Sequence, residues 1–185
     1  MKAPLSPHTR DELLAALDGA QAAWVDTVAA LPLPDYFRAP APGRWSPAEH
    51  LAHLALTHGR VAQGLGVPRP ALRLLFGAPA TARTYEGVRG AYQARLAAGG
   101  RAPARYVPRP VTAHDAATRD AQVAAYVTAA TRVRSALAGW PEAALDRHAL
   151  PHDLLGRLSA RELLFFTVYH DHHHLRGALA APETP

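Results

Sequence analysis

The chain contains no cysteine among its 185 residues. Disulfide bonds, thiolate metal ligands and a cysteine nucleophile are therefore excluded. Any transition-metal site in this protein must be built from histidine and carboxylate side chains together with water. A thiol nucleophile, if the protein uses one, must come from another molecule.

Lysine occurs once, and isoleucine and asparagine do not occur at all. The formal net charge is +5 and the isoelectric point is about 10.1, which brings nucleic acid into consideration as a partner. Nineteen of the 20 basic residues are arginines, however, and they are spread from Arg10 to Arg176 without a dense basic run. This distribution is more typical of GC-rich coding than of a phosphate-binding surface, so we do not expect nucleic-acid binding.

No apolar run approaches the roughly 20 residues that a membrane span needs. The N-terminal residues Met1–Pro7 also lack the apolar region of a signal peptide. We therefore expect a cytoplasmic protein with no membrane partner. A length of 185 residues is enough to bury a full core, and a single domain over residues 1–185 is the simplest organisation.

Four long stretches have apolar residues at helical spacing, and proline-rich segments separate them. Three of the stretches open with Ser or Thr followed three residues later by Glu, which is the capping-box pattern of a helix start. We find no alternation typical of strands and no internal repeat. These features predict an all-α fold, a four-helix bundle. The predicted helices are Thr9–Ala30, Ser46–Gly64, Ala113–Ala138 and Ser159–Ala180.

The long connection between the second and third helices, residues 65–113, has weaker patterns. It contains a short apolar stretch, Ala71–Phe76, and a segment with helical spacing near Tyr85–Ala98. The proline-rich segment Pro103–Pro110 follows. Because a structureless loop of this length is uncommon inside a compact domain, we expect part of the connection to be helical.

The last predicted helix carries four of the 11 histidines in the run Tyr169–Leu175. His170 and His174 are four residues apart, so their imidazoles lie one above the other on the helix and can share a metal ion. Asp171 and His172 project away from this pair. A purely structural alternative is a solvated histidine face on a helix held only by its apolar residues, which are Phe165, Phe166, Val168 and Tyr169.

The second predicted helix offers three candidates for a further ligand, His50, His53 and His58. His58 falls on the apolar stripe of this helix and is most simply a residue of the core or of a cleft wall. His53 lies off the stripe, so its spacing alone favours a solvated surface position. Periodicity therefore does not select a third ligand.

Three motifs, in this order, resemble the DinB/YfiT-like superfamily of metal-dependent helical-bundle proteins, and the resemblance covers most of the chain. It is weakest over residues 65–105. The motifs are Trp45-Ser46-x-x-Glu49-x-Leu51-x-His53-Leu54, the segment Tyr106-Val107-Pro108, and Leu150–Glu162 followed by the H-x-x-x-H of His170 and His174.

The resemblance implies a metal site formed by His53, His170 and His174, in a cleft between the second and fourth helices. Three neutral imidazoles with an open position are the arrangement of a catalytic rather than a structural zinc site. Zinc and nickel are the favoured metals, and manganese and iron are also compatible with three histidines. The resemblance also favours a homodimer.

Other residues near this site are expected to support it without binding the metal. We expect His50 to orient a ligand or to contact substrate, because it lies one turn before His53. The role of Glu49 is explained by helix capping. The candidates for such a supporting position are His50, His58 and His173. The histidines expected to be solvated, in termini or loops, are His8, His114, His148 and His152.

Members of the resembled superfamily include thiol S-transferases that use low-molecular-weight thiols such as bacillithiol, and a mycothiol-dependent isomerase. The resemblance thus implies a metal-dependent enzyme that transfers such a thiol to an electrophilic small molecule. Arg60 and Arg176 are candidates to bind the carboxylates of the thiol. Two alternatives are a stress-related metal-binding protein without catalysis and a metal-dependent hydrolase.

Overall fold

The computed structural model describes residues 6–180, and helices dominate this part of the chain. The terminal residues of the predicted 1–185 domain, and most of Met1–Pro7, lie outside the described range. No helix within that range is long and apolar enough to cross a membrane. The helices are α1 Arg10–Ala30, α2 Leu33–Phe37, α3 Pro47–Gly66, α4 Arg69–Phe76, α5 Tyr85–Ala97, α6 Ala116–Ala138 and α7 Ala160–Ala178. Two 3-10 turns, Ala104–Tyr106 and Glu142–Ala144, and two strands, β1 Ala149–His152 and β2 Gly156–Ser159, complete the order.

The four long helices form the predicted four-helix bundle. Helices α1 and α3 each pack against both α6 and α7, so the four enclose a common core. Large buried side chains from each helix fill it, and these include Trp24, Leu54, Tyr126 and Phe165. Burial of apolar area on this scale is the main stabilising term for such a bundle.

The helix starts follow the capping signals of the sequence. Thr9, Ser46 and Ser159 each accept a hydrogen bond from the backbone N–H of the glutamate three residues later, and each glutamate bonds back to the cap. Helix α6 begins later than predicted, at Ala116, because the side chain of Asp115 caps it by accepting from the Thr118 N–H. The helix ends at Ala138 as predicted, and Gly139 is its C-cap.

The connection between α3 and α6 is partly helical, as predicted. Its apolar stretch lies in α4 and its second periodic segment forms α5, which packs against α7. The segment that ends α1 contains the short helix α2, which was not predicted.

The all-α fold contains one short hairpin, over residues 149–159, which was not predicted. Strands β1 and β2 pair antiparallel, with Leu150 opposite Leu158. Each strand has only four residues, which is too short for an alternating pattern to be recognised. The hairpin packs close to α3, since a Cβ at Gly64 would lie 2.7 Å from the Leu150 side chain. It thereby places the Pro151–Leu155 turn beside the candidate site.

Candidate metal centre

Three histidines that are distant in sequence converge between α3 and α7. His53 projects from α3, His170 and His174 project from α7, and one ring nitrogen from each lies within 4.8 Å of the others. Their side chains are only 3%, 4% and 7% exposed. The alternative of a solvated histidine face is therefore wrong, and so is the surface position that spacing favoured for His53. The side of α3 that carries His53, away from the apolar stripe, is covered by α7.

Hydrogen bonds among the ring nitrogens cannot satisfy all of the contacts in the cluster. The Nε2 atom of His170 lies 3.3 Å from Nε2 of His53 and 2.9 Å from Nε2 of His174. A ring nitrogen carries either a proton or a lone pair, so His170 Nε2 can complete only one of these two contacts. His53 Nδ1 lies 2.7 Å from the Tyr106 carbonyl, which only accepts. In the neutral ring, His53 Nε2 therefore presents a lone pair to the cluster.

This donor set fits a transition-metal ion. Zinc–nitrogen bonds of about 2.0–2.1 Å at tetrahedral angles separate ligand nitrogens by about 3.3 Å, close to the 3.3 and 2.9 Å from His170 Nε2 to its two neighbours. Only neutral imidazole binds a metal. Burial lowers the pKa of His53, and it lowers the pKa of His170 and His174 well below the usual value, with neighbouring histidines adding to the effect. All three rings are thus in the metal-binding form at neutral pH.

His174 is held by two residues at the start of α3. Its Nδ1 lies 2.8 Å from Nδ1 of His50, a contact through which His50 could orient His174. The indole of Trp45 stacks on the His174 ring, with centroids 5.8 Å apart and planes at 17°. Gly177 makes room for His50, because a Cβ there would lie 2.9 Å from its ring. A partner on the second nitrogen fixes the orientation of a ligating histidine.

The other two supporting candidates lie elsewhere. His58 is in the core rather than at the cleft. Its Nε2 is 3.1 Å from Oδ2 of Asp171 and its Nδ1 is 2.9 Å from the Leu54 carbonyl. Asp171 projects away from the cluster as expected, but it is buried and paired, which the sequence analysis missed. His173 is half-buried beside Tyr92 and does not line the cavity that adjoins the cluster.

A cavity of about 210 Å³ adjoins the cluster. His53 and His170 form part of its wall, and Arg60 lies in the same wall with an exposed side chain. Arg176, the other arginine candidate, lies outside the wall, with its guanidinium 5.7 Å from the Tyr169 ring centroid. Most of the remaining wall is apolar, and it includes Val61, Tyr92, Leu150, Leu154, Leu163 and Phe166.

Two of the histidines expected to be solvated are not. His152 is half-buried in the cavity wall, and His148 is half-buried against Trp140, at 5.7 Å between ring centroids. His8 and His114 are exposed as expected. Periodicity did not indicate the place of His152, because its position depends on a hairpin that was not predicted.

The fold and the site together define a four-helix-bundle protein with a buried three-histidine cluster that could hold a metal ion. The chain belongs to the DinB superfamily, whose sequence profile matches residues 16–178. It is also similar in fold to the crystal structure of TT2238, a four-helix bundle protein, with a TM-score of 0.56 and 17% sequence identity. That alignment covers 91% of this chain and 96% of the other. No curated protein matches the chain.

Proposed function

We propose that this protein is a divalent-metal-dependent thiol S-transferase, which joins a low-molecular-weight thiol of the bacillithiol type to a small electrophile. The observation that carries the proposal is that the three-histidine cluster borders an apolar cavity. His53 and His170 belong to both the cluster and the wall. A metal ion held by the cluster would therefore border the space in which two small molecules can meet.

Zinc or nickel suits the three neutral imidazoles. Bound there, either ion would supply positive charge that favours the thiolate form of a thiol over the thiol itself. The chain has no cysteine, so the sulfur nucleophile of this reaction comes from the cofactor.

The cavity residues suit the two reactants in different ways. The apolar wall, with Tyr92, Leu163 and Phe166, favours an electrophile with an apolar body. The exposed guanidinium of Arg60 can bind a carboxylate of the thiol with two parallel hydrogen bonds. In the reaction the S–H bond breaks and the sulfur forms a bond to the electrophilic carbon. With a halide such as chlorodinitrobenzene, the carbon–chlorine bond breaks, and chloride and the thiol proton pass to the solvent. In an addition to an activated double bond, the double bond becomes a single bond and the proton passes to the product.

The cavity also favours thiol transfer over the two alternatives, which are metal binding without catalysis and hydrolysis. A protein that only buffers metal has no need of a shaped apolar space beside its ligands, so the cavity favours catalysis. Hydrolysis needs a base beside the bound water. Asp153 is the carboxylate residue of the wall, and it is paired with Arg105, so hydrolysis ranks lower. Cytoplasmic localisation and homodimer formation stay predictions from the sequence.

Metal content measured by elemental mass spectrometry on untagged protein tests the centre. We expect about one equivalent of zinc or nickel in the parent, and its loss in His170→Ala. His172→Ala is the matched control, because His172 is on the same helix but outside the cluster. A parent that is purified without metal and does not bind added zinc or nickel would exclude the metal centre.

The transfer of bacillithiol or mycothiol to chlorodinitrobenzene, followed by absorbance of the thioether, tests the reaction. We expect the metal-loaded parent and His172→Ala to accelerate the transfer and His170→Ala to lose the acceleration. Metal-loaded parent that is no faster than His170→Ala with either thiol would reject the transferase and leave the metal-binding alternative.

A further inference from the structure

His152, the last residue of β1, is a polar side chain in the mainly apolar wall of the cavity. Its ring centroid lies 4.2 Å from that of Phe166 and 6.4 Å from that of Tyr92, and both pairs meet edge to face. These contacts hold the imidazole within the wall. His152 is not a member of the three-histidine cluster.

The hairpin turn determines which nitrogen of His152 carries the proton. The backbone N–H groups of Leu154 and Leu155 both lie 3.2 Å from Nδ1. An amide N–H only donates, so Nδ1 must present its lone pair to them. A neutral imidazole has a single ring proton, which is therefore on Nε2. The turn thus fixes His152 as a hydrogen-bond donor at Nε2.

The environment keeps this ring neutral and leaves its donor without a protein partner. Burial lowers the pKa of His152 to about 4. Asp153 raises this pKa and Arg83 lowers it, both by less than burial does. Nε2 forms no hydrogen bond within residues 6–180, and it is not among the enclosed side-chain atoms that lack a partner, so it is open to the space beside it. A ligand acceptor in the cavity can therefore replace water on this N–H group.

We propose that His152 is a substrate-binding residue, whose Nε2–H donates a hydrogen bond to the carbonyl oxygen of a small, mainly apolar substrate in the cavity. The substrate class of the site is then an apolar carbonyl compound. This inference rests on the proposed function in one respect, which is that the electrophile binds in this cavity. A hydrogen bond to the carbonyl oxygen also draws electron density from the rest of a conjugated carbonyl compound, which favours attack by sulfur.

Acetophenone and α-methylstyrene are suitable probes, because they have nearly the same shape and only acetophenone has the oxygen. We would titrate each into protein with ¹⁵N-labelled histidine and follow the spectra, in zinc and again in chelator. Acetophenone is expected to shift the His152 Nε2–H signal. It is also expected to bind about five- to tenfold more tightly than α-methylstyrene, the usual worth of one neutral hydrogen bond.

His152→Asn separates the donor from the structural role of this residue. The asparagine Oδ1 can accept from the Leu154 and Leu155 amides in place of Nδ1, as in an Asx turn, so the hairpin is retained. The asparagine Nδ2 then lies where the ring Cδ2 was, so no group of the variant reaches the position of Nε2–H. We expect an unchanged melting temperature, acetophenone binding that is about five- to tenfold weaker, and unchanged binding of α-methylstyrene.

Equal binding of the two probes to the parent, or binding of neither, would overturn the proposal. So would a folded His152→Asn variant that still prefers acetophenone. Should His152→Asn not fold, the parent alone still decides, through the two probes and through the ¹⁵N shifts that report the Nε2–H tautomer. None of these readouts uses metal content or thiol transfer, so failure here is distinct from failure of the proposed function.

Discussion

His53 and His58 both project from α3 and both meet residues of α7, but their partners differ. His53 meets His170 and His174, and no carboxylate in the described part of the chain joins that cluster. His58 meets Asp171, the residue that follows His170 along α7. The two α3 histidines are almost equally buried, at 3% and 2% exposure. The presence or absence of one carboxylate is thus the main difference between the two centres.

That carboxylate reverses the protonation of the histidine. Burial lowers the pKa of His53, His170 and His174. Burial acts on His58 in the same direction, but the charge and hydrogen bond of Asp171 and the bond to the Leu54 carbonyl outweigh it and raise the pKa. The core pair therefore carries its own balancing charges, whereas the cluster presents lone pairs that an added cation can satisfy.

The core pair also ties α7 to its neighbours. The indole N–H of Trp24 on α1 donates to the backbone carbonyl of Asp171, at 3.1 Å. The Tyr126 hydroxyl of α6 and Oδ1 of Asp171 are buried without a hydrogen-bond partner among residues 6–180. The backbone carbonyl and the side chain of Asp171 thus join α7 to α1 and α3 one residue after His170.

The largest effect is expected from Asp171→Ala. The variant leaves the buried His58 without its partner, so the free energy of unfolding should fall by about 3–5 kcal/mol, as for other broken buried ion pairs. Urea unfolding at pH 7 in chelator measures this without a contribution from metal. The double variant His58→Phe with Asp171→Leu should recover most of the loss. A loss below about 1 kcal/mol in Asp171→Ala would show that the pair is not ionic.

The next effect concerns the cluster. A metal that binds only the folded state stabilises the parent by about 4 kcal/mol when free zinc is about 1,000 times its Kd. His53→Ala should lose most of this gain, seen as a zinc-dependent rise in melting temperature, while His172→Ala keeps it. Asp171→Asn, although less stable, should also keep a zinc-dependent rise. A full rise in His53→Ala would contradict the ligand role of His53.

Acidification should act on the two centres with opposite signs. The cluster histidines have lowered pKa values, so below the ordinary value of 6.5 the unfolded state binds more protons than the folded state. Their contribution to stability is therefore lost as the pH falls below 6.5. The raised pKa of His58 gives a contribution that is present below pH 6.5 and is lost as the pH rises through the folded-state pKa. More histidines are lowered than raised, so the free energy of unfolding should fall from pH 7 to pH 5.

Urea unfolding in chelator at pH 5, 6 and 7 measures this dependence. His170→Leu removes one of the lowered groups and should flatten the curve. A curve in the parent that is flat, or that rises towards pH 5, would show that the buried histidines are not held neutral.

The smallest effect is expected from Gly177→Ala. The added Cβ would lie 2.9 Å from the His50 ring and should move it away from His174. Loss of such a supporting contact should weaken zinc binding by about tenfold. Gly59→Ala, on α3, is the matched control, because a Cβ there meets nothing within 4 Å. Competition titration against a zinc-binding dye measures both. Equal affinity in the two variants would show that His50 does not support the site.

Much of the fold was predictable from local signals. The capping boxes at Thr9, Ser46 and Ser159 depend on residues three positions apart, and the pairing of His170 with His174 depends on one helical turn. Such interactions depend on residues within one helical turn and do not need a long-range contact. Spacing alone, however, favoured the wrong position for His53, and the resemblance to the superfamily selected it instead.

The sequence by itself therefore determined the four long helices, the three helix starts with capping boxes and the histidine pair on α7. Only the tertiary structure decided the burial of His53, the partner of His58 and the place of His152 in the cavity wall. The physical reason is distance along the chain. His53 meets His170 across 117 positions and His58 meets Asp171 across 113, so neither contact leaves a periodic pattern in the sequence.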